Sequence, residues 1–109
     1  EKLALRNAAG CEATKRAVLE IEGIELLHPK AAHYNEFVVK LPQTAASALT
    51  FLDERGITGG LALDSISEGA SPNWLLISAT DQTKESDIAA LTSGLSAWLR
   101  QWEWRIAHE

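Results

Sequence analysis

The feature that most constrains the fold of this chain is a six-residue stretch, residues 36–41 (EFVVKL), which is followed by Pro42. Its centre is β-branched and aromatic, which is typical of a strand. Because side chains alternate between the two faces of a strand, Phe37, Val39 and Leu41 share an apolar face, and the other three share a mixed one. The stretch therefore predicts a strand in a sheet that is covered on one side only.

Helices and short strands are predicted on both sides of this strand. Helical patterns cover residues 1–22 and 45–55 and the segment after residue 83, and short apolar runs predict strands over 24–27, 61–63 and 74–78. Thr44 and Thr83 are the expected helix caps. Short loops between neighbouring strands favour antiparallel pairing, with the helices on one face. The predicted fold class is a two-layer α+β domain with a mostly antiparallel sheet.

Apolar periodicity predicts which side of each helix faces the core. The expected core positions, in order along the three helices, are Leu3, Gly10, Ala13, Ala17 and Ile21, then Leu49, Phe51 and Leu52, then Ile88, Leu91, Leu95, Trp98, Leu99 and Trp102.

Composition excludes several classes of protein. A chain of 109 residues with 46% apolar and 23% charged residues fits one globular domain. Its net charge of −5 argues against a nucleic-acid partner, because such sites cluster Lys and Arg. No apolar run approaches the roughly 20 residues that span a bilayer, so no membrane association is expected. The sequence has no methionine and opens on Glu1, so we expect a processed chain or part of a longer one.

Single residues give little sign of catalysis. Cys11 is the one cysteine, which fits a reducing compartment, and its helical setting predicts a small packing residue rather than a nucleophile. His28 and His33 lie in a loop broken by proline, where we expect solvent or contact with another domain and no metal site. Residues 53–55 (DER) read as a solvated helix end.

Two further features suggest contacts rather than chemistry. The Gly59-Gly60 pair follows a helix and precedes a strand, the reverse of a dinucleotide-binding loop, so we expect a positive φ or a close approach to a neighbour. Trp104 lies away from the helix face shared by Trp98 and Trp102. It is either an ordinary half-buried residue or one that a missing partner surface covers.

Four segments carry a family resemblance: residues 34–42 (YNEFVVKLP), 52–63 (LDERGITGGLAL), 74–78 (WLLIS) and 83–88 (TKESDI). Together they resemble the C-terminal domain of glycine dehydrogenase (decarboxylating) subunit 1. That subunit is the half of the split bacterial P-protein of the glycine cleavage system that lacks the cofactor lysine. The resemblance extends from the first helix to about Leu99.

The resemblance implies a fold and a setting. Residues 1–109 would form the single small C-terminal domain of a larger subunit, in a fold type I pyridoxal-phosphate enzyme of the cytoplasm. The complete system decarboxylates glycine and passes the aminomethyl group to the lipoyl carrier H-protein. The cofactor would belong to the parent enzyme, its lysine to subunit 2, and the fragment alone would bind no cofactor and would not be catalytic.

The resemblance also suggests which residues face a partner. The chain departs from the family at residues 79–81 (ATD), and no catalytic, cofactor-binding or metal residue is assigned. The interface candidates flank the matched strand and turn and are expected to meet the large domain of the same chain or the partner subunit, with Trp104 added for its position on the last helix. They are His33, Asn35, Glu36, Gly59, Gly60 and Trp104.

Two alternatives remain open. The chain could be the small domain of another fold type I enzyme, such as a class V aminotransferase or a cysteine desulfurase. Those enzymes place an arginine to clamp a substrate carboxylate. Arg55, Arg100 and Arg105 are expected on solvated helix surfaces, which counts against this reading. A free-standing α+β binding or regulatory module is the other alternative.

Overall fold

The structure is a computed structural model that describes residues 2–28, 35–80 and 82–108, with side chains from residue 9 onward. Two strands follow each of the first two helices and a third helix ends the chain, which is the predicted order, and the α+β prediction is confirmed. They are α1 (Lys2–Leu19), β1 (Glu25–Leu26), β2 (Glu36–Lys40), α2 (Ala45–Asp53), β3 (Leu61–Ala62), β4 (Trp74–Ser78) and α3 (Glu85–Ala107).

The four strands form one antiparallel sheet in the order β1-β2-β4-β3. The long central strands β2 and β4 pair along their whole length, from Glu36 opposite Ser78 to Lys40 opposite Trp74. The edge strands have two residues each. β3 is shorter than predicted because the chain turns into a single 3₁₀ turn at Leu63.

One face of the sheet carries the core. Phe37 and Val39 of β2 are buried, as the alternation predicted, and so are Leu75 and Ile77 of β4. All three helices contribute to the same cluster of buried side chains, so they cover this face. Burying each large aliphatic side chain here contributes about 1.5–3 kcal/mol to stability.

The predicted core face of α1 is wrong. Its buried stripe is Cys11, Thr14 and Val18, whereas Ala13 is exposed. A threonine can occupy this face because its hydroxyl donates to the carbonyl of Gly10 at 2.8 Å, so no unpaired polar group is buried. The prediction that Cys11 is a small packing residue is confirmed.

The cap of α2 is confirmed. The Thr44 hydroxyl accepts a hydrogen bond from the backbone N–H of Ser47 at 3.3 Å. The cap predicted for α3 is wrong, because the Thr83 hydroxyl instead accepts from the N–H of Thr80 at 2.9 Å. The N-cap residue of α3 is Lys84, and its backbone N–H donates to the carboxylate of Asp87 at 2.9 Å.

Candidate functional site

Four of the predicted interface residues gather at one end of β4. Glu36 pairs with Ser78, and the N–H of Ala79 donates to the carbonyl of Asn35 at 2.8 Å. On the other side of β4, the Gly59-Gly60 turn leads into β3, which pairs with the same strand. Strand β2 and the Gly59-Gly60 turn, which both carry the family resemblance, therefore lie on opposite sides of the C-terminal end of β4.

The Gly59-Gly60 turn has both properties that the sequence predicted. Gly60 has a φ of +125°, and a Cβ there would overlap the carbonyl oxygen of Leu76. A Cβ at Gly59 would overlap a methyl group of Leu52. Packing within the domain thus accounts for the two glycines, and their contact with another domain stays a prediction.

The face of the sheet opposite the helices carries an apolar row. Val38, Leu76 and Leu61 lie side by side on three neighbouring strands, and Leu61 is 51% exposed. Charged side chains of β2 lie on both sides of the row, Glu36 beyond one end and Lys40 beyond the other, and the half-buried Trp74 of β4 lies opposite Lys40. We call the surface formed by Val38, Leu61 and Leu76 the open sheet face. An apolar centre with a polar rim is typical of an interface.

Trp104 lies apart from the interface candidates at the end of β4. It lies near the far end of α3, about 29 Å along the helix axis from its start at a rise of ~1.5 Å per residue. The residue is 61% exposed, and its ring stacks on that of His108 with the ring centroids 4.2 Å apart. His33, the sixth candidate, lies outside the described residues.

A groove that sequence reasoning missed runs between α2 and the C-terminal third of α3. Its volume is about 700 Å³, and its lining includes Phe51, Trp98, Trp102 and Arg105. The signal for it was present in α3, because Trp102 and Ile106 extend the apolar stripe four residues at a time beyond Trp98. Only the position of α2 turns this stripe into a groove.

The Cys11 thiol is unsuited to nucleophilic chemistry. Burial raises its pKa, and the nearby charge of Lys15 opposes this only in part. A thiolate is the reactive form, and a raised pKa depletes it near neutral pH.

We expect the native chain to react with 5,5′-dithiobis(2-nitrobenzoate) at least about 100-fold more slowly than the chain unfolded in guanidinium, since labelling requires local opening. The absorbance of the released thiolate gives the rate, and Cys11→Ser is the blank. Similar rates for folded and unfolded chains would contradict the burial of this thiol.

Groups that could hold a cofactor or a metal ion are scarce in the described ranges. Lys40 and Lys84 are exposed, and Lys15 pairs with Glu12 at 2.8 Å. Within the part of the chain that the structure describes, there is no set of three His, Cys, Asp or Glu side chains placed to bind a metal. Nor does any described helix have the length and apolarity needed to cross a membrane.

Sequence comparison identifies relatives along most of the chain. Over 96 residues, or 87% of the chain, it is 35% identical to a probable glycine dehydrogenase (decarboxylating) subunit 1 of Caulobacter sp.. A protein with the same name from Rhodospirillum centenum is 32% identical over 101 residues. The chain spans about a fifth of the length of these relatives, 21% and 22%. No protein-family model matches it.

Two solved structures share the fold. Glycine decarboxylase (P-protein) of the glycine cleavage system, solved in inhibitor-bound form, superposes with a TM-score of 0.76 and 27% identity over 89% of this chain. The aminotransferase TlmJ of Streptoalloteichus hindustanus superposes with a TM-score of 0.67 at 12% identity, which shows the fold alone.

These neighbours define the class of the chain: it has the small α+β fold found in fold type I pyridoxal-phosphate enzymes, as predicted. The sequence relatives then narrow the assignment. The chain is homologous to the C-terminal part of glycine dehydrogenase (decarboxylating) subunit 1, and the resemblance noted in its sequence is confirmed.

Proposed function

We propose that this chain serves as the C-terminal domain of a glycine decarboxylase subunit in the glycine cleavage system. Its role there is structural, and it contributes an interface rather than catalytic groups. One observation carries the proposal: sequence and fold lead to the same enzyme. The chain is 35% identical to a probable glycine dehydrogenase (decarboxylating) subunit 1, and it superposes on a solved glycine decarboxylase (P-protein) with a TM-score of 0.76.

Pyridoxal phosphate would be the cofactor of the parent enzyme, where it acts as an electron sink at the substrate carbon. The lysines described in this domain do not suit the role of holding it, because Lys40 and Lys84 are exposed and Lys15 is paired with a carboxylate. The family resemblance implies that the cofactor lysine belongs to the partner subunit, subunit 2, and we expect no cofactor bound to this domain alone.

The partners follow from the same assignment. They are the large domain of the same subunit, glycine dehydrogenase subunit 2 and the lipoyl carrier H-protein, all in the cytoplasm. Asn35, Glu36 and the Gly59-Gly60 turn would contribute to these contacts from the end of β4. Neither a nucleic acid nor a membrane is expected as a partner.

Reconstitution tests the proposal. The full-length subunit that contains this domain, mixed with subunit 2, the H-protein and pyridoxal phosphate, is expected to exchange the carboxyl carbon of glycine with labelled CO₂. Omitting either subunit should abolish the exchange. No exchange with a folded partner would refute the proposal, and transamination of a 2-oxo acid instead would support the aminotransferase alternative.

The positions of three arginines count against the aminotransferase alternative. Arg55 lies over the ring of Phe51, 3.4 Å from its centroid, and donates to the Phe51 carbonyl at 3.0 Å. Its guanidinium is thus engaged within the domain. Arg100 and Arg105 are exposed on α3.

A further inference from the structure

Among the residues that the structure describes, no helix packs on the open sheet face. All three helices pack on the opposite face, where the buried side chains of β2 and β4 form the core. On the open side, Val38 and Leu76 are only half-buried, and Leu61 is 51% exposed. An antiparallel sheet can leave one face in water, but that face is then usually polar.

The arrangement of the open sheet face is that of an interface. Val38, Leu76 and Leu61 are adjacent in register, so their side chains form one continuous row rather than scattered apolar positions. Glu36 and its partner Ser78 border the row at one end, and Lys40 borders it at the other, where its partner across the sheet is the half-buried Trp74. A contiguous apolar patch with a polar rim marks an interaction site.

The length of the relatives indicates what covers this row. The chain corresponds to 21% of the Caulobacter protein and 21% of the solved glycine decarboxylase. In such a protein about four-fifths of the polypeptide lies outside this domain and is tethered to it, which gives it a high effective concentration at any exposed face. A tethered segment therefore competes favourably with any free partner for this row.

We propose that the open sheet face docks against the remainder of the same subunit, with Val38, Leu61 and Leu76 at the centre of the contact. This inference rests on the proposed function, because it requires that the domain is part of a longer chain. The open sheet face would then be the surface through which the domain contacts the rest of the subunit.

Thiol labelling of the full-length subunit tests this docking. Three apolar residues of similar exposure in the domain serve as reporters: Leu61 on the open sheet face at 51%, Ile66 outside the sheet at 58%, and Ile106 in the α2–α3 groove at 53%. Each is replaced singly by cysteine. The unsubstituted subunit supplies the background from its own thiols, and the unfolded variants supply the intrinsic rates.

We expect Leu61→Cys to react at least about tenfold more slowly than Ile66→Cys in the subunit alone, because the docked segment excludes the reagent. Equal rates would overturn the proposal, and slow labelling at Ile106→Cys alone would place the contact in the groove instead. Protection that varies with protein concentration would indicate a second copy, and protection seen only after adding subunit 2 would indicate that partner. Either result would also overturn it.

The labelling result does not depend on turnover of glycine. A subunit that protects Leu61→Cys but shows no CO₂ exchange would contradict the proposed function and leave the docking surface intact. A subunit that exchanges CO₂ but leaves Leu61→Cys as reactive as Ile66→Cys would support the proposed function and contradict the docking surface.

Discussion

Replacing Gly60 by alanine is expected to lower the free energy of unfolding of the chain by about 3 kcal/mol or more. Two effects combine: Gly60 has a φ of +125°, and a Cβ would overlap the carbonyl oxygen of Leu76. That carbonyl belongs to the backbone of β4, a central strand, so it cannot move aside as a flexible side chain could. Urea unfolding followed by circular dichroism measures the loss.

Gly69→Ala is the matched control. Gly69 also has a positive φ, +84°, but a Cβ there would meet no atom within 4 Å. Only the backbone strain then remains, and a loss of about 1 kcal/mol is expected. If both variants lost the same stability, the contact with β4 would not be the reason that the position requires glycine.

Leu52→Ala is expected to cost about 3 kcal/mol, because the side chain is fully buried and its removal leaves a cavity. Leu52 fills space that two glycines leave free: a Cβ at either Gly59 or Gly94 would overlap one of its methyl groups. Leu49→Ala, at a half-buried position of the same helix, should cost about 1 kcal/mol. Equal losses would contradict a cavity at Leu52.

The contact between α2 and α3 can be tested separately. Gly94→Ala alone should destabilise the chain, because its Cβ would overlap the second methyl group of Leu52. Combined with Leu52→Ala, the new methyl group enters the vacated space, so the double variant should lose less stability than the sum of the two single variants. Strict additivity would mean that the two positions do not share this space.

Part of the candidate site could be predicted from the sequence. The resemblance selected Asn35, Glu36 and the Gly59-Gly60 turn, and the sheet brings them to one end of β4. The open sheet face was predictable only in part. Alternation in β2 indicated that its second face is mixed, but the row across three strands depends on the register that sets Val38 beside Leu76 and Leu61.

The sequence by itself determined the elements whose signals are local. The alternation of β2, the span of β4 and the Thr44 cap of α2 all depend on neighbouring residues and on the short reach of backbone hydrogen bonds. The single apolar stripe of α3 likewise determined which side of the helix is buried. That side carries Leu91, Leu95, Trp98 and Leu99.

Only the tertiary structure decided the orientation of α1 and the shape of the groove. α1 offers two faces of small or weakly apolar residues, and the one that is buried, Cys11, Thr14 and Val18, is selected by packing against the other elements. The groove needs α2 and α3 side by side before Phe51 and Trp102 can line one space. Burial depends on which surfaces meet, and those surfaces come from residues far apart in the chain.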